Sequence, residues 1–228
     1  PPDGRLIIRS ARLYDGIWQG YRSQMDVVIE GGKIAAVENR RERQDGTMLD
    51  LGNVTVLPGL IDADASFAEN PSSGAIILAY GVTTIAASTL PAGFDAATWN
   101  SDTSPGPRVI QVDSADRSPN LSGLADGGLD NLDALLTSRQ ATTFGHAMPP
   151  HRRFASMRDI ADESNVIVAG SAPNGLPPGA GLHAELIALR AAGLNGEQAL
   201  HAAGRNAARA LGVENQIGTI TPGALADL

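Results

Sequence analysis

The 228-residue sequence contains no cysteine, so neither a disulfide framework nor a thiolate metal site can be assembled from it. It has a single lysine, Lys33, which removes any other lysine as a nucleophile, Schiff-base former or carboxylated metal bridge. No apolar run approaches the roughly 20 residues that a membrane span needs. Positive charge is scarce: 17 lysines and arginines stand against 25 acidic residues, a formal net charge of -8. The basic clusters, Arg40-Arg41 with Arg43 and the pair Arg152-Arg153, are too short for a nucleic-acid or anionic-lipid surface. No phosphate loop, dinucleotide fingerprint or nucleophile elbow is present. The chain starts Pro1-Pro2 without methionine, which reads as a processed or excised piece, and no signal peptide remains to indicate a destination.

What is present suits a globular body. Apolar residues make up 43% and charged residues 18%, enough for a sizeable core in one large or two small domains. Short β-like runs open the chain at Leu6-Ile7-Ile8, Met25 to Ile29 and Lys33 to Val37, with Glu30-Gly31-Gly32 as a hairpin signal. Further on, strand-like and helix-like segments alternate, the pattern of a parallel α/β body. The expected strands are 56–61, 82–86, 108–112, 142–145 and 166–169. The expected helices are 73–80, 129–139, 154–163, 181–192 and 196–211. Leu182, Leu186 and Leu189 share a helical face, and Asn195 with Gln198 has the form of a capping box before the last helix.

The most informative stretch is Val56-Leu57-Pro58-Gly59-Leu60-Ile61-Asp62-Ala63-Asp64-Ala65-Ser66. It resembles the metal-binding signature of the amidohydrolase superfamily, in which Pro-Gly-Leu-Ile-Asp-Ala precedes His-x-His. Here Asp64 and Ser66 occupy the two histidine positions. The resemblance extends over Leu6 to Ser66, Tyr80-Gly81-Val82-Thr83-Thr84, and Val166 to Leu228. It is best to the amidohydrolase-like domains that accompany Tol-type propeller modules, which implies a periplasmic or exported protein. The family fold implies an α/β chain: a TIM-like (β/α) barrel with a small β-sandwich built from both termini. Residues 1–57 with 216–228 would form the sandwich, Ile217 to Leu228 giving its returning strand, and residues 58–215 the barrel. Five βα-like units are fewer than the eight of a full barrel, which typically takes about 250 residues. The barrel is therefore expected to be shortened or incomplete.

The resemblance also says where chemistry would sit. Family members activate a metal-bound water, and an Asp after the last strand takes its proton. That Asp position falls on Ala172, beside Ser171, and a methyl group can neither accept the proton nor ligate a metal. A serine hydroxyl at Ser66 is a poor ligand for a borderline-soft ion. A glutamate bridge would have to come from Glu69, Glu163 or Glu185, of which only Glu69 closely follows an expected strand. His146, at the carboxyl end of an expected strand, and His151 are candidate ligands with Asp64, or else loop histidines. Asp62, Asp64 and Ser66 would face one side if the strand runs through them, lining either a mixed oxygen and nitrogen site or a hydrated polar mouth. His183 and His201 read as helix-face residues with structural roles.

Two functions follow. In the first, the chain is an amidohydrolase-like domain that has lost metal-dependent catalysis and serves structure, assembly or ligand binding, with no cofactor. A shortened barrel would expose strand edges, which predicts a homo-oligomer or a protein partner. In the second, it is an active hydrolase of amide or cyclic-amide C–N bonds in a small-molecule substrate, with zinc or another divalent cation in a rearranged site.

Overall fold

Alternating apolar positions in the first sixty residues build a mixed sheet. In the computed structural model, which describes residues 4–42, 45–65, 73–87, 90, 92–95, 99–100, 105–112, 167–171, 179–191 and 194–228, β1 (Leu6–Leu13) pairs antiparallel with β2 (Arg22–Glu30). β2 turns back into β3 (Lys33–Asn39) across the two residues Gly31 and Gly32. Both have positive φ, 55° and 74°, the backbone twist that a two-residue hairpin requires and that glycine adopts without steric cost. β4 (Thr47–Asp50) and β5 (Thr55–Val56) lie parallel to β1, so the sheet runs β3-β2-β1-β4 with β5 farther along β1.

One face of this sheet carries Leu13, Met25, Val27, Ile29, Ile34 and Val56, and Ile220 and Ala224 from the end of the chain pack onto it. The expected returning strand is reduced to a bridge. Lys33 pairs with Leu225, the Ile34 N–H donates to the Ala224 carbonyl at 2.8 Å, and the Ala226 N–H donates to Gly32 at 3.0 Å. The beginning and end of the described chain therefore meet along β3.

The single strand expected over 56–61 is two. β5 ends at Val56 in the first sheet, and β6 (Leu60–Asp62) starts in a second. The break falls at Leu57-Pro58-Gly59, where Pro58 has no N–H for a ladder. Gly59 is pressed so closely on the Thr83 side chain that any Cβ would overlap it. β6 runs parallel to β7 (Val82–Ala87), and β7 parallel to β8 (Arg108–Gln111), with α1 (Ser73–Ala79) between β6 and β7 in sequence.

Residues 167–171 run along the other edge of β6, where the Ala63 N–H donates to the Ala169 carbonyl at 3.1 Å. A late segment thus returns beside the first strand of the parallel sheet. The expected strand at 142–145 and the helices at 129–139 and 154–163 lie outside the described residues.

α2 (Ala180–Ala191) buries Leu182 and Leu189 on the expected face. The helix expected over 196–211 is broken into α3 (Gly196–Ala202) and α4 (Arg205–Ala210). Tertiary demand explains the break. The Ala202 carbonyl accepts from the Ala169 N–H at 2.9 Å, and the Ala203 carbonyl accepts from the Ile61 N–H at 2.8 Å. The helix gives up carbonyls to satisfy two buried N–H groups, one in β6 and one in the 167–171 segment, that would otherwise be costly orphans. Gly204 takes φ -132° and ψ -114° at the junction, with Gly218 packed against its backbone. Ile61, Val168, Ala207, Ala208 and Ile217 seal this seam as one apolar cluster.

Candidate functional site

β6 delivers Asp62 at its carboxyl end, the end at which barrel sites form. The strand ends at Asp62, before Asp64. The reason is local: the Asp62 carboxylate accepts from the Asp64 N–H at 3.3 Å, a side-chain turn two residues long, while the chain bends over Ala63-Asp64. The same oxygen, Oδ1, accepts from the Ser171 N–H at 2.8 Å. Asp62 therefore ties the end of β6 to the 167–171 segment.

Asp64 lies in a tight slot. The Ala65 N–H donates to the Ala86 carbonyl of β7 at 2.8 Å, holding the chain on one side. On the other side Gly170 approaches so closely that a Cβ there would lie 2.6 Å from the Asp64 Cβ and 2.8 Å from its nitrogen. The Asp64 side chain is buried, as is that of Asp62. Ser171 is half-buried and joins them through its main chain. Ser66, His146, His151, Ala172, Glu69 and Glu163 lie outside the described residues.

A third carboxyl group, Glu185 of α2, completes the described acidic cluster. Its side chain is buried, and burial first, then the nearby Asp62 charge, pushes its pKa up to about 7. Burial also raises the pKa of Asp62; hydrogen bonds from Ser171 and the Asp64 N–H oppose this, and the Asp64 charge adds to it. Desolvation disfavours each charged form, so this pair is held toward the neutral, proton-carrying state. Glu185 carried little weight in the sequence because no strand immediately precedes it. The signal that could have found it is periodicity, since Glu185 falls on the buried stripe between Leu182 and Leu189, where an aliphatic residue belongs.

The remaining described histidines have other partners. His183 Nε2 lies 2.7 Å from the Tyr80 carbonyl, which can only accept, so the ring donates there. The His183 and Tyr80 rings are 5.6 Å apart, and Gly179 packs on Tyr80. His201 lies on α3, beyond the opposite end of β6 and beside Tyr14.

Among the described residues, no three His, Cys, Asp or Glu side chains gather closely enough to hold a metal ion. The described donors are all carboxyl groups, and one Asp62 oxygen is already engaged by two backbone N–H groups. These described groups are hard oxygen donors.

No family model matches the chain, and no curated protein matches it. Solved structures do. A Xaa-Pro dipeptidase with bound methionine in its active site aligns over 97% of this chain and 92% of its own, at 14% identity and a TM-score of 0.67. Molinate hydrolase aligns over 98% and 89%, at 12% identity and 0.68. Enamidase, described as a member of the amidohydrolase superfamily, aligns over 97% and 86%, at 17% identity and 0.60. The fold is TIM-like. It is the fold of these hydrolases, carried by a sequence that shares fewer than one residue in five with each of them.

Proposed function

We propose that the chain is an amidohydrolase-type domain in which metal-dependent hydrolysis has been given up and the barrel mouth kept as a structural or ligand-binding feature. The observation that carries this reading is the setting of Asp64. It takes the place of the first signature histidine, yet it is buried, clamped between the end of β7 and the Gly170 backbone, and followed by Ser66 in place of the second. Ala172 in place of the proton-accepting Asp supports it independently. The Asp62 and Glu185 carboxyls, both buried and held toward the neutral state, supply a pair of hydrogen-bond donors and acceptors suited to a neutral ligand with amide or carboxyl groups.

Under this reading the barrel is the body of the chain, residues 58–215, and the segments 1–57 and 216–228 form a composite β-sandwich beside it. The protein works as a homo-oligomer or with a protein partner in the periplasm or outside the cell. The test is elemental analysis after dialysis against metal-free buffer, combined with hydrolysis assays on Xaa-Pro dipeptides and simple amides. Substoichiometric metal and no turnover are expected. Near-stoichiometric zinc, manganese or iron, with turnover abolished by Asp64→Asn, would overturn the reading.

One observation favours a second reading, an active hydrolase of amide bonds with Asp64, His146 and His151 as ligands to zinc or another divalent cation. Glu185, with a pKa near 7, is a residue of the right acidity to exchange protons at neutral pH, a role that Ala172 cannot fill. Turnover that follows the ionisation of a group near pH 7 and disappears in Glu185→Gln would establish it.

A further inference from the structure

Two buried polar atoms face one small cleft at the opposite end of β6 from the carboxyl cluster. Tyr14, just beyond β1, is 6% exposed, and among the described residues its hydroxyl has no hydrogen-bond partner. The same holds for Nε2 of His201 on α3. The two rings are 6.0 Å apart and inclined by 30°, so they stand side by side without bonding each other. Both line a cleft shared with Pro58, Gly204, Arg205 and Gly218. About 10 Å³ of it is open to the centre of a water-sized molecule, close to the roughly 10–15 Å³ that one water needs.

The walls of this cleft are built to close tolerance. A Cβ on Gly16 would come within 3.1 Å of the Gly218 carbonyl, and one on Gly218 would lie 2.9 Å from the Ala208 Cβ. The turn after β1, the α3–α4 junction and the final segment therefore meet backbone to backbone, and the cleft is what their contact leaves. Charges of both signs act on Tyr14: Glu197 and Asp15 raise its pKa and Arg205 lowers it. Burial raises the pKa of the Tyr14 hydroxyl to about 12 and lowers that of the His201 ring, favouring the neutral form of each. A neutral donor-acceptor would satisfy both orphan atoms.

We propose that this seam binds one neutral, hydrogen-bonding molecule of water's size, which bridges Tyr14 Oη to His201 Nε2 and couples the β1 turn to α3. Tyr14 would donate to it, and the His201 ring nitrogen would take the complementary role. The site is independent of the carboxyl cluster and of whether that cluster is catalytic.

The test is a double-mutant cycle in thermal melts of the whole chain near pH 7.5, with Tyr14→Phe, His201→Leu and the pair. Tyr14→Phe removes a hydroxyl and nothing else, so it separates the alternatives by sign. A bridged hydroxyl predicts a Tm lowered by roughly 2–4 °C, with little further loss when the same change is made in the His201→Leu background. A Tm that is unchanged or raised by Tyr14→Phe would overturn the proposal, since deleting a hydroxyl from a dry apolar slot relieves a penalty. Equal losses in both backgrounds would also overturn it, because the two atoms would then share no ligand. If His201→Leu does not fold, the sign of the Tyr14→Phe shift decides.

Discussion

At the scale of single residues, two charges and one glycine set the terms. Asp26 is fully buried in β2 and stays ionised because Arg9, its cross-strand partner, grips both oxygens at 2.8 and 2.7 Å. Burial alone would raise its pKa; the hydrogen bonds and charge of Arg9, the Arg41 backbone and the Arg40 charge outweigh burial and hold it below the ordinary value. A lowered carboxyl pKa stabilises the fold above the unfolded value and loses that contribution as the pH falls through the folded one. Arg9→Met leaves the carboxyl buried without its fork, so acid unfolding followed by circular dichroism should begin at a higher pH than in the parent. Gly170 is the other constraint. An alanine there must displace Asp64 or its own segment, an overpacking that costs about 1–3 kcal/mol. Gly170→Ala should lower the urea midpoint accordingly, and should disturb any ligand or metal affinity of the site more than Gly179→Ala does.

At the scale of elements, legibility in the sequence follows how local the cause is. The Gly31-Gly32 hairpin is readable because two adjacent residues determine it. The α3 start is readable for the same reason: Asn195 accepts from the Gln198 N–H at 2.9 Å while Gln198 accepts from the Asn195 N–H at 2.8 Å. Asn195→Ala should cost about 1 kcal/mol, measured by chemical denaturation, with Gln198→Ala costing less and the two together less than their sum. The break at Ala203-Gly204 was not readable, since the pattern from 196 to 211 is helical and the demand for the Ala202 and Ala203 carbonyls comes from Ala169 and Ile61. β4 escaped notice because all four of its residues are exposed, and its existence rests on pairing with β1 rather than on burial. In the site, the signature stretch located Asp62 and Asp64. It could not reveal that Asp62 would bind Ser171, more than a hundred residues away, or that Glu185 would turn inward beside it.

At the scale of the whole molecule, the chain is fastened by its end. The Gly59 N–H donates to the Asp227 carbonyl at 2.8 Å, and Arg108 of β8 meets the Asp227 carboxylate at 2.6 Å while reaching Thr84 of β7 at 3.1 Å. The last residues therefore brace both sheets. Among the described helices none is long and apolar enough to cross a membrane. The stability of such a body responds to pH through groups of opposite sense. Glu185 has a pKa raised from 4.5 to about 7 by burial and by Asp62. A raised acid binds more protons folded than unfolded, so its contribution is complete below pH 4.5 and is lost as the pH rises through 7. His201, lowered by burial and Arg205, works the other way: its contribution is present above pH 6.5 and is lost as the pH falls. Replacing Glu185 by glutamine keeps the shape and removes the ionisation. Thermal melts of Glu185→Gln and the parent should therefore converge below pH 4.5 and separate by pH 8, with the variant the more stable. At about 1.4 kcal/mol per pKa unit the gap is at most about 3.5 kcal/mol. A constant gap at every pH would mean that Glu185 titrates in the folded protein as it does unfolded, in which case burial does not hold it neutral and the neutral-ligand reading of the site loses its support.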